Sequence, residues 1–273
     1  MNIYFFKLAS FLYLLGSIAY LVYIIFLKEN LSKLALTIVS IGFASHTLAL
    51  ITRYAEAGHT PVTNLHESLS FFAWMMMGVL LIVNLKYKVK ILGAFITPIA
   101  LILMLFAFTL PREILPLAPV LRSYWHPFHV VFAFLGNAIF ALAFCCGVMY
   151  LIQEKQLKSK KLGAITKRLP PLKVLDDLNY QSLKFGFPLL TLGIITGAVW
   201  ANYAWGRYWD WDPKETWSLI TWLLYAALLH QRLTVGWRGR KAAIMAIVGF
   251  LAVLFTFLGV NLLLSGLHTY SNW

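Results

Sequence analysis

The sequence predicts an all-α polytopic membrane protein of about eight transmembrane helices. It reads as a single integral membrane domain over residues 1–273, with both termini on the outer side. Three observations carry this prediction. The chain is 60% hydrophobic and only 12% charged, about half the ~25% charged share of soluble domains. Its apolar residues fall in eight runs, at about 4–26, 34–54, 68–85, 91–110, 127–152, 185–203, 217–233 and 242–265, each near the ~20 residues that cross a bilayer. The connections following alternate runs hold 17 basic residues against Glu29, Glu154, Asp176 and Asp177, whereas the opposite side carries six basic and six acidic residues. The net charge of +13 thus gathers on one face, which the positive-inside rule makes cytoplasmic. Placed this way it describes topology and not nucleic-acid binding.

The runs carry local signals at their ends. The first lacks a basic leader and a small-residue cleavage site, so it reads as a retained span. Asn64 with Glu67 three residues later, after Pro61, predicts a capping box opening the third span. His126-Pro127 predicts the start of the fifth, with proline in the first turn. Cys145 and Cys146 are adjacent in an apolar run, outside disulfide geometry and C-x-x-C spacing, and read as small apolar fillers. The longest cytoplasmic connection, 154–184, ends in LKVLDDLNYQSLK, which predicts an amphipathic helix lying at the interface. In the sixth run Gly193 and Gly197 form a G-x-x-x-G spacing that permits close helix approach. Asp212-Pro213-Lys214-Glu215 predicts a second capping box that locks the preceding loop onto the seventh span.

That outer loop, at about 200–217, is the chemical centre of the sequence. From Trp200 to Trp222 lie six of the ten tryptophans, at 200, 205, 209, 211, 217 and 222. One or two tryptophans at a membrane border are anchors. Six within one short stretch suit a flat aromatic shelf for a planar apolar ligand. The histidines narrow the choice. His129 lies near the outer end of the fifth span and His268 just past the outer end of the eighth, so both reach the level of the loop. Two converging imidazoles make a six-coordinate heme site. His126, three residues from His129, shares roughly its face and competes with it. His230 lies thirteen residues beyond Trp217, in the cytoplasmic half of the bilayer, where a ligand role and a snorkelling partner of Gln231 and Arg232 are equal readings. His46 reads as a buried polar group in helix packing, and His59 and His66 as solvated or capping groups. No H-E-x-x-H, P-loop or intramembrane acidic pair competes.

WGRYWDWDPKETW, with WANYAWG before it and LLH after, resembles the WWD motif of the CcsA/ResC family of system II cytochrome c biogenesis. AGHTPVTNLHESLSFFAW, FGFPLLTLGIITGAVWA and GVNLLLSGLHTYS are similar to the same family, so the resemblance covers most of the chain. The related CcmC proteins have a shorter WWD motif and about six spans. The D-P-K-E-T-W ending and eight spans favour CcsA.

The resemblance implies heme b as ligand and substrate, held at an outer site by His129 and His268 with Trp205, Trp209 and Trp211 against the porphyrin. It implies His230 as one ligand of a second, intramembrane heme whose other ligand comes from a CcsB/ResB-type membrane partner. It implies attachment of heme to the C-x-x-C-H of apocytochrome c, with a thioredoxin-like thiol reductant as a further partner. The alternative is a CcmC-like exporter or chaperone that presents heme to a separate synthase. Arg122, Arg207 and Lys214 are candidate partners of the propionates, Arg207 first among them, and Asp210 could orient a histidine or tryptophan. The membrane implied is a bacterial inner or a thylakoid membrane, with the site on the outer or lumenal side.

Overall fold

The computed structural model describes residues 1–160, 166, 168–264 and 266, and no strand occurs among them. Eight long helices follow the eight apolar runs in order: α1 (Asn2–Phe26), α2 (Glu29–Ala57), α3 (Leu65–Tyr87), α4 (Gly93–Thr109), α5 (Trp125–Lys158), α6 (Leu172–Trp205), α7 (Pro213–His230) and α8 (Arg240–Leu263). All but α7 are long and apolar enough to cross a membrane by themselves, α4 together with the 3₁₀ turn Lys90–Leu92 before it. The 18 residues of α7 rise ~27 Å, just short of a ~30 Å hydrocarbon core. Its first turn is charged, and its apolar run continues into a π turn at Gln231–Val235 that contains Arg232. The chain is an integral membrane protein.

The described residues form two compact units. One comprises residues 1–116 with those described among 163–170, and the other those described among 117–162 and 171–273.

In the first unit, α1 and α2 form a hairpin that turns through Leu27 in the left-handed region (φ 54°), and α3 reaches the α4 segment through Lys88 (φ 53°). Tyr13, Tyr20, Val39, Leu69, Phe72 and Met76 fill its core. His46 is buried there, within hydrogen-bond reach of Ser70 Oγ (2.9 Å) and Tyr13 OH (3.3 Å), so it has the packing role expected of it. His66 Nδ1 donates to the Ala107 carbonyl at 2.7 Å and is buried, not solvated, while His59 Nδ1 lies 3.3 Å from the Thr60 carbonyl.

The capping box at Asn64 forms only by half. Asn64 Oδ1 accepts the Glu67 N–H at 2.9 Å. The Glu67 carboxylate does not return to Asn64, because a buried guanidinium claims it. Arg53 Nε and Nη2 donate to Glu67 Oε1 at 2.9 and 2.8 Å, and the two side chains are 8% and 2% exposed. The other oxygen accepts Thr63 N–H and Oγ1–H, both at 2.9 Å. Arg53 also donates to the carbonyls of Arg112 and Glu113, tying down the connection after α4.

In the second unit α5 and α6 are each 34 residues long, or ~51 Å, well beyond a ~30 Å hydrocarbon core. The expected interfacial helix at 172–184 is therefore the first turns of α6. Nothing between Lys184 and Phe185 breaks the helix, and Leu175, Leu178 and Leu183 continue its buried stripe. Phe140 of α5 stacks on Tyr225 of α7, ring centroids 3.5 Å apart. At the start of α6 and just beyond the end of α7, Arg232 forks onto Asp176 at 2.8 and 2.6 Å while the Gly239 N–H donates to the same carboxylate at 2.8 Å. A buried pair with these extra bonds fixes the geometry of its neighbours. Cys145 and Cys146 are buried free thiols, as their setting predicted.

Candidate functional site

The aromatic loop is anchored at both ends by backbone signals. Gly206 ends α6 in the left-handed region (φ 75°), its N–H returning to the Asn202 carbonyl. Asp212 caps α7, accepting the Lys214 N–H at 3.0 Å, with Pro213 in the first helical position. Glu215 Oε2 closes the predicted box by accepting the Asp212 N–H at 3.3 Å. It also accepts the Asp210 N–H at 2.8 Å, so one carboxylate holds two loop amides. Between them Trp211 takes the left-handed region (φ 57°), a strained conformation for a bulky side chain. Trp211 is 69% exposed. The strain is sustained by what surrounds it: the two amides on Glu215 and the Thr216 hydroxyl on the Trp211 carbonyl at 3.2 Å.

The tryptophans do not form one flat shelf. Trp209 and Trp211 meet at 87° with centroids 5.8 Å apart, and Trp200 meets Trp205 at 61° and 5.0 Å. Edge-to-face contact is what the ring quadrupole favours when indoles crowd together. These four tryptophans form two edge-to-face pairs, and Trp211 is the most exposed of the four.

Trp200, in the last turns of α6, is the residue that organises this end of the unit. It is buried and donates Nε1–H to the Val120 carbonyl at 3.1 Å, holding the chain before α5. The His129 imidazole stacks on it at 21° with centroids 5.8 Å apart, and His126 lies against it at 5.0 Å and 53°. Proximity to the loop therefore does not separate the two histidines. Their environments differ: His126 is buried and His129 only half-buried. His129 Nδ1 is 2.7 Å from the Gly193 carbonyl. A carbonyl only accepts, so this nitrogen carries the proton and the lone pair of the neutral ring sits on Nε2. That is the tautomer an imidazole needs to bind a metal through Nε2. The sequence counted Trp200 among the tryptophans of the loop without pairing it with His129, and read Gly193 only as a packing residue, although 193, 197 and 200 share one helix face by spacing.

His268 lies outside the described residues. Two positions earlier, Gly266 sits against the cap of α7: a Cβ there would meet the Asp212 carboxylate and come within 3.0 Å of Pro213 Cδ. His230 ends α7 at the opposite end of that helix from the tryptophan loop and is exposed. The structure thus separates His230 from the His129 site along the length of α7.

Of the cationic candidates, Arg207 pairs with Asp210 across an exposed turn, so among the described residues the arginine is the charged partner of this carboxylate. Lys214 donates Nζ–H to Asn261 Oδ1 of α8 at 3.0 Å. Arg122 lines a half-open cavity of about 570 Å³ with Val120, Tyr124, Trp125 and Tyr203.

Comparison with known proteins follows the same residues. The family model described as cytochrome C assembly protein matches residues 62–268. Proteins described as cytochrome c biogenesis protein CcsA align over most of the chain. The one from Chlamydomonas reinhardtii is 43% identical over 253 residues, covering 89% of this chain and 70% of its own. The one from Pyropia yezoensis is 40% identical, covering 88% of each chain. The one from Synechococcus sp. (strain CC9902) is 41% identical, covering 82% of each. Among solved structures, a cytochrome c heme lyase CcmF superposes with a TM-score of 0.67 at 20% identity. That match covers 94% of this chain and 46% of the lyase, and is a likeness of fold.

Proposed function

The chain belongs to the cytochrome c assembly family, and from that premise we propose that it is the heme-handling membrane subunit of a system II cytochrome c synthase. With a CcsB/ResB-type partner it carries heme b to the outer face and positions it for thioether attachment to the C-x-x-C-H of apocytochrome c. The observation that carries this reading is His129: its Nδ1 proton is held by the Gly193 carbonyl and its ring lies on Trp200, beneath a loop rich in tryptophan. This donor set fits heme. It supplies a pre-oriented imidazole and large apolar faces nearby, and exposed cations lie within the same unit.

In this reading His129 and His268 are the outer axial ligands, and Trp205, Trp209 and Trp211 hold the porphyrin. Arg207 turns from Asp210 to a propionate, an exchange made easy because an exposed ion pair is worth only ~0–1 kcal/mol. His230 supplies one ligand of an intramembrane site, and its exposure suits a second ligand from the partner. The clamp of Arg232 on Asp176 fixes the turn that follows it. Both termini and the tryptophan loop face outward, following the charge asymmetry.

The reaction needs positioning more than acid–base chemistry. Each cysteine S–H adds across a vinyl C=C: sulfur bonds the carbon next to the ring, hydrogen goes to the outer carbon, and nothing is oxidised or reduced. The chain's task is to hold the ring plane and present the vinyl edges. A thioredoxin-like reductant keeps the two thiols available.

The test is the absorption spectrum of the chain purified with its partner, with His129→Gly and His268→Gly as variants, followed by incubation with apocytochrome. A six-coordinate spectrum that weakens in both variants, with covalent product formed by the two proteins alone, supports the proposal. Product that appears only after a further protein is added would make the chain a heme carrier serving a separate synthase. A folded, partnered preparation whose spectrum both variants leave unchanged would overturn the ligand assignment.

A further inference from the structure

The G-x-x-x-G of α6 meets α5 differently at its two glycines. At Gly193 a Cβ would stand 3.0 Å from the backbone nitrogen and Cα of Ala133, which is ordinary close helix packing. At Gly197 a Cβ would stand 2.6 Å from His129 Nδ1 and 2.7 Å from its Cε1. The imidazole therefore occupies the volume in which any other residue at 197 would keep its side chain. Above it lies the Trp200 ring, and below it the Gly193 carbonyl receives the Nδ1 proton. Residues 193, 197 and 200 fall at i, i+4 and i+7, one stripe of a single helix. Three consecutive features of that stripe, an acceptor, a vacancy for a ring and an aromatic face, confine one side chain from three directions.

We infer that Gly197 and the Gly193 carbonyl are positioning elements for His129, fixing its tautomer and ring orientation, so that this glycine pair serves ligand geometry as well as helix packing. The inference rests on His129 being a heme ligand. The physical cause is general: a ligating imidazole whose second nitrogen donates to a carbonyl has a fixed orientation and a more basic ligating nitrogen, and loss of such support typically weakens the site ~10–100-fold. A methyl at 197 drives the ring off the carbonyl without removing the histidine. It should shift the equilibrium toward five-coordinate iron and raise the reduction potential, because a less basic imidazole favours the ferric state less.

The experiment uses the full chain with its partner and heme as purified, comparing wild type, Gly197→Ala, Gly186→Ala and His129→Gly. Gly186→Ala is the packing control: its Cβ would meet Phe140 Cε1 at 2.7 Å in the same helix pair, away from the imidazole. Gly197→Ala is expected to retain at least ~10-fold less heme in six-coordinate form, with a raised potential in what remains. Gly186→Ala is expected to lower thermal stability and leave spectrum and potential unchanged. A wild-type spectrum and potential in Gly197→Ala overturn the inference, while the loss in His129→Gly keeps the ligand assignment standing. The same spectral loss in Gly186→Ala also overturns it, since packing alone would then suffice. An unchanged spectrum in His129→Gly sinks the ligand assignment and this inference with it. Should Gly197→Ala not fold, wild type labelled with ¹⁵N-histidine decides the question. A His129 signal, identified by its absence from His129→Gly, with the proton on Nδ1 supports the inference; a proton on Nε2 refutes it.

Discussion

Replacing Glu215 with alanine should unfasten the tryptophan loop while leaving α7 in place. Its Oε2 accepts two amides, Asp210 N–H at 2.8 Å and Asp212 N–H at 3.3 Å. Bonds to a charged acceptor contribute ~1.5–3 kcal/mol each when well formed and buried. Here the short one lies at an exposed turn and the long one is weak, so ~1.5 and ~0.5 kcal/mol are reasonable, ~2 kcal/mol in all. The strained left-handed backbone of Trp211 adds to the drive for release, because the cost of ~1–3 kcal/mol is met only while the loop is held. A loss of ~2 kcal/mol multiplies the open population ~30-fold. Amide hydrogen exchange reads this directly. Protection over residues 209–216 should fall by about that factor in Glu215→Ala, with α7 beyond Trp217 unchanged because Asp212 still caps the Lys214 N–H. Glu215→Gln keeps one acceptor oxygen and should restore most of the protection. Equal protection in Glu215→Ala and wild type would refute the view that this carboxylate sets the loop, and leave the Trp211 conformation unaccounted for.

Three further outcomes follow from the geometry. Asp176→Asn removes the carboxylate from a side chain, Arg232, that is only 5% exposed, and should cost ~3–5 kcal/mol in a denaturant or thermal melt in detergent. A loss under ~1 kcal/mol would show that water solvates Arg232. Trp200→Phe keeps a face for His129 while removing the bond to the Val120 carbonyl and part of a buried indole, so stability should drop ~1–3 kcal/mol with the heme spectrum unchanged. Trp200→Ala should cost ~3–5 kcal/mol and the six-coordinate spectrum as well. Arg207→Ala should leave the melting midpoint within the ~0–1 kcal/mol of an exposed pair and lower heme retention, and intact retention would remove Arg207 from the site.

Much of this protein was legible in the chain because it depends on near neighbours. Eight apolar runs gave eight helices, and Asp212-Pro213-Lys214-Glu215 gave a complete capping box, since both partners lie within one helical turn. The same rule failed at Asn64-Glu67, where local spacing is identical but an arginine 14 residues earlier competes for the carboxylate. The reading of 172–184 as a separate interfacial helix failed for the complementary reason: amphipathic pattern describes a face and does not mark where a helix ends. The flat shelf gave way to edge-to-face pairs, because sequence counts indoles and carries no ring orientation.

By itself, then, the sequence determined the membrane class, the number and order of the helices, the capping box that joins the tryptophan loop to α7 and the candidate ligand His129. Tertiary structure alone decided what His129 touches: the Gly193 carbonyl 64 residues away and the face of Trp200, itself pinned to Val120 across 80 residues. It also decided that Arg232 should close on Asp176, 56 residues distant, beside an exposed His230. The physical reason is that a lipid-facing helix can be apolar on every side, so its pattern specifies burial in the membrane and not rotation about its own axis. Rotation and register come from which small residues let two helices close, and that is settled only when α5 and α6 pack.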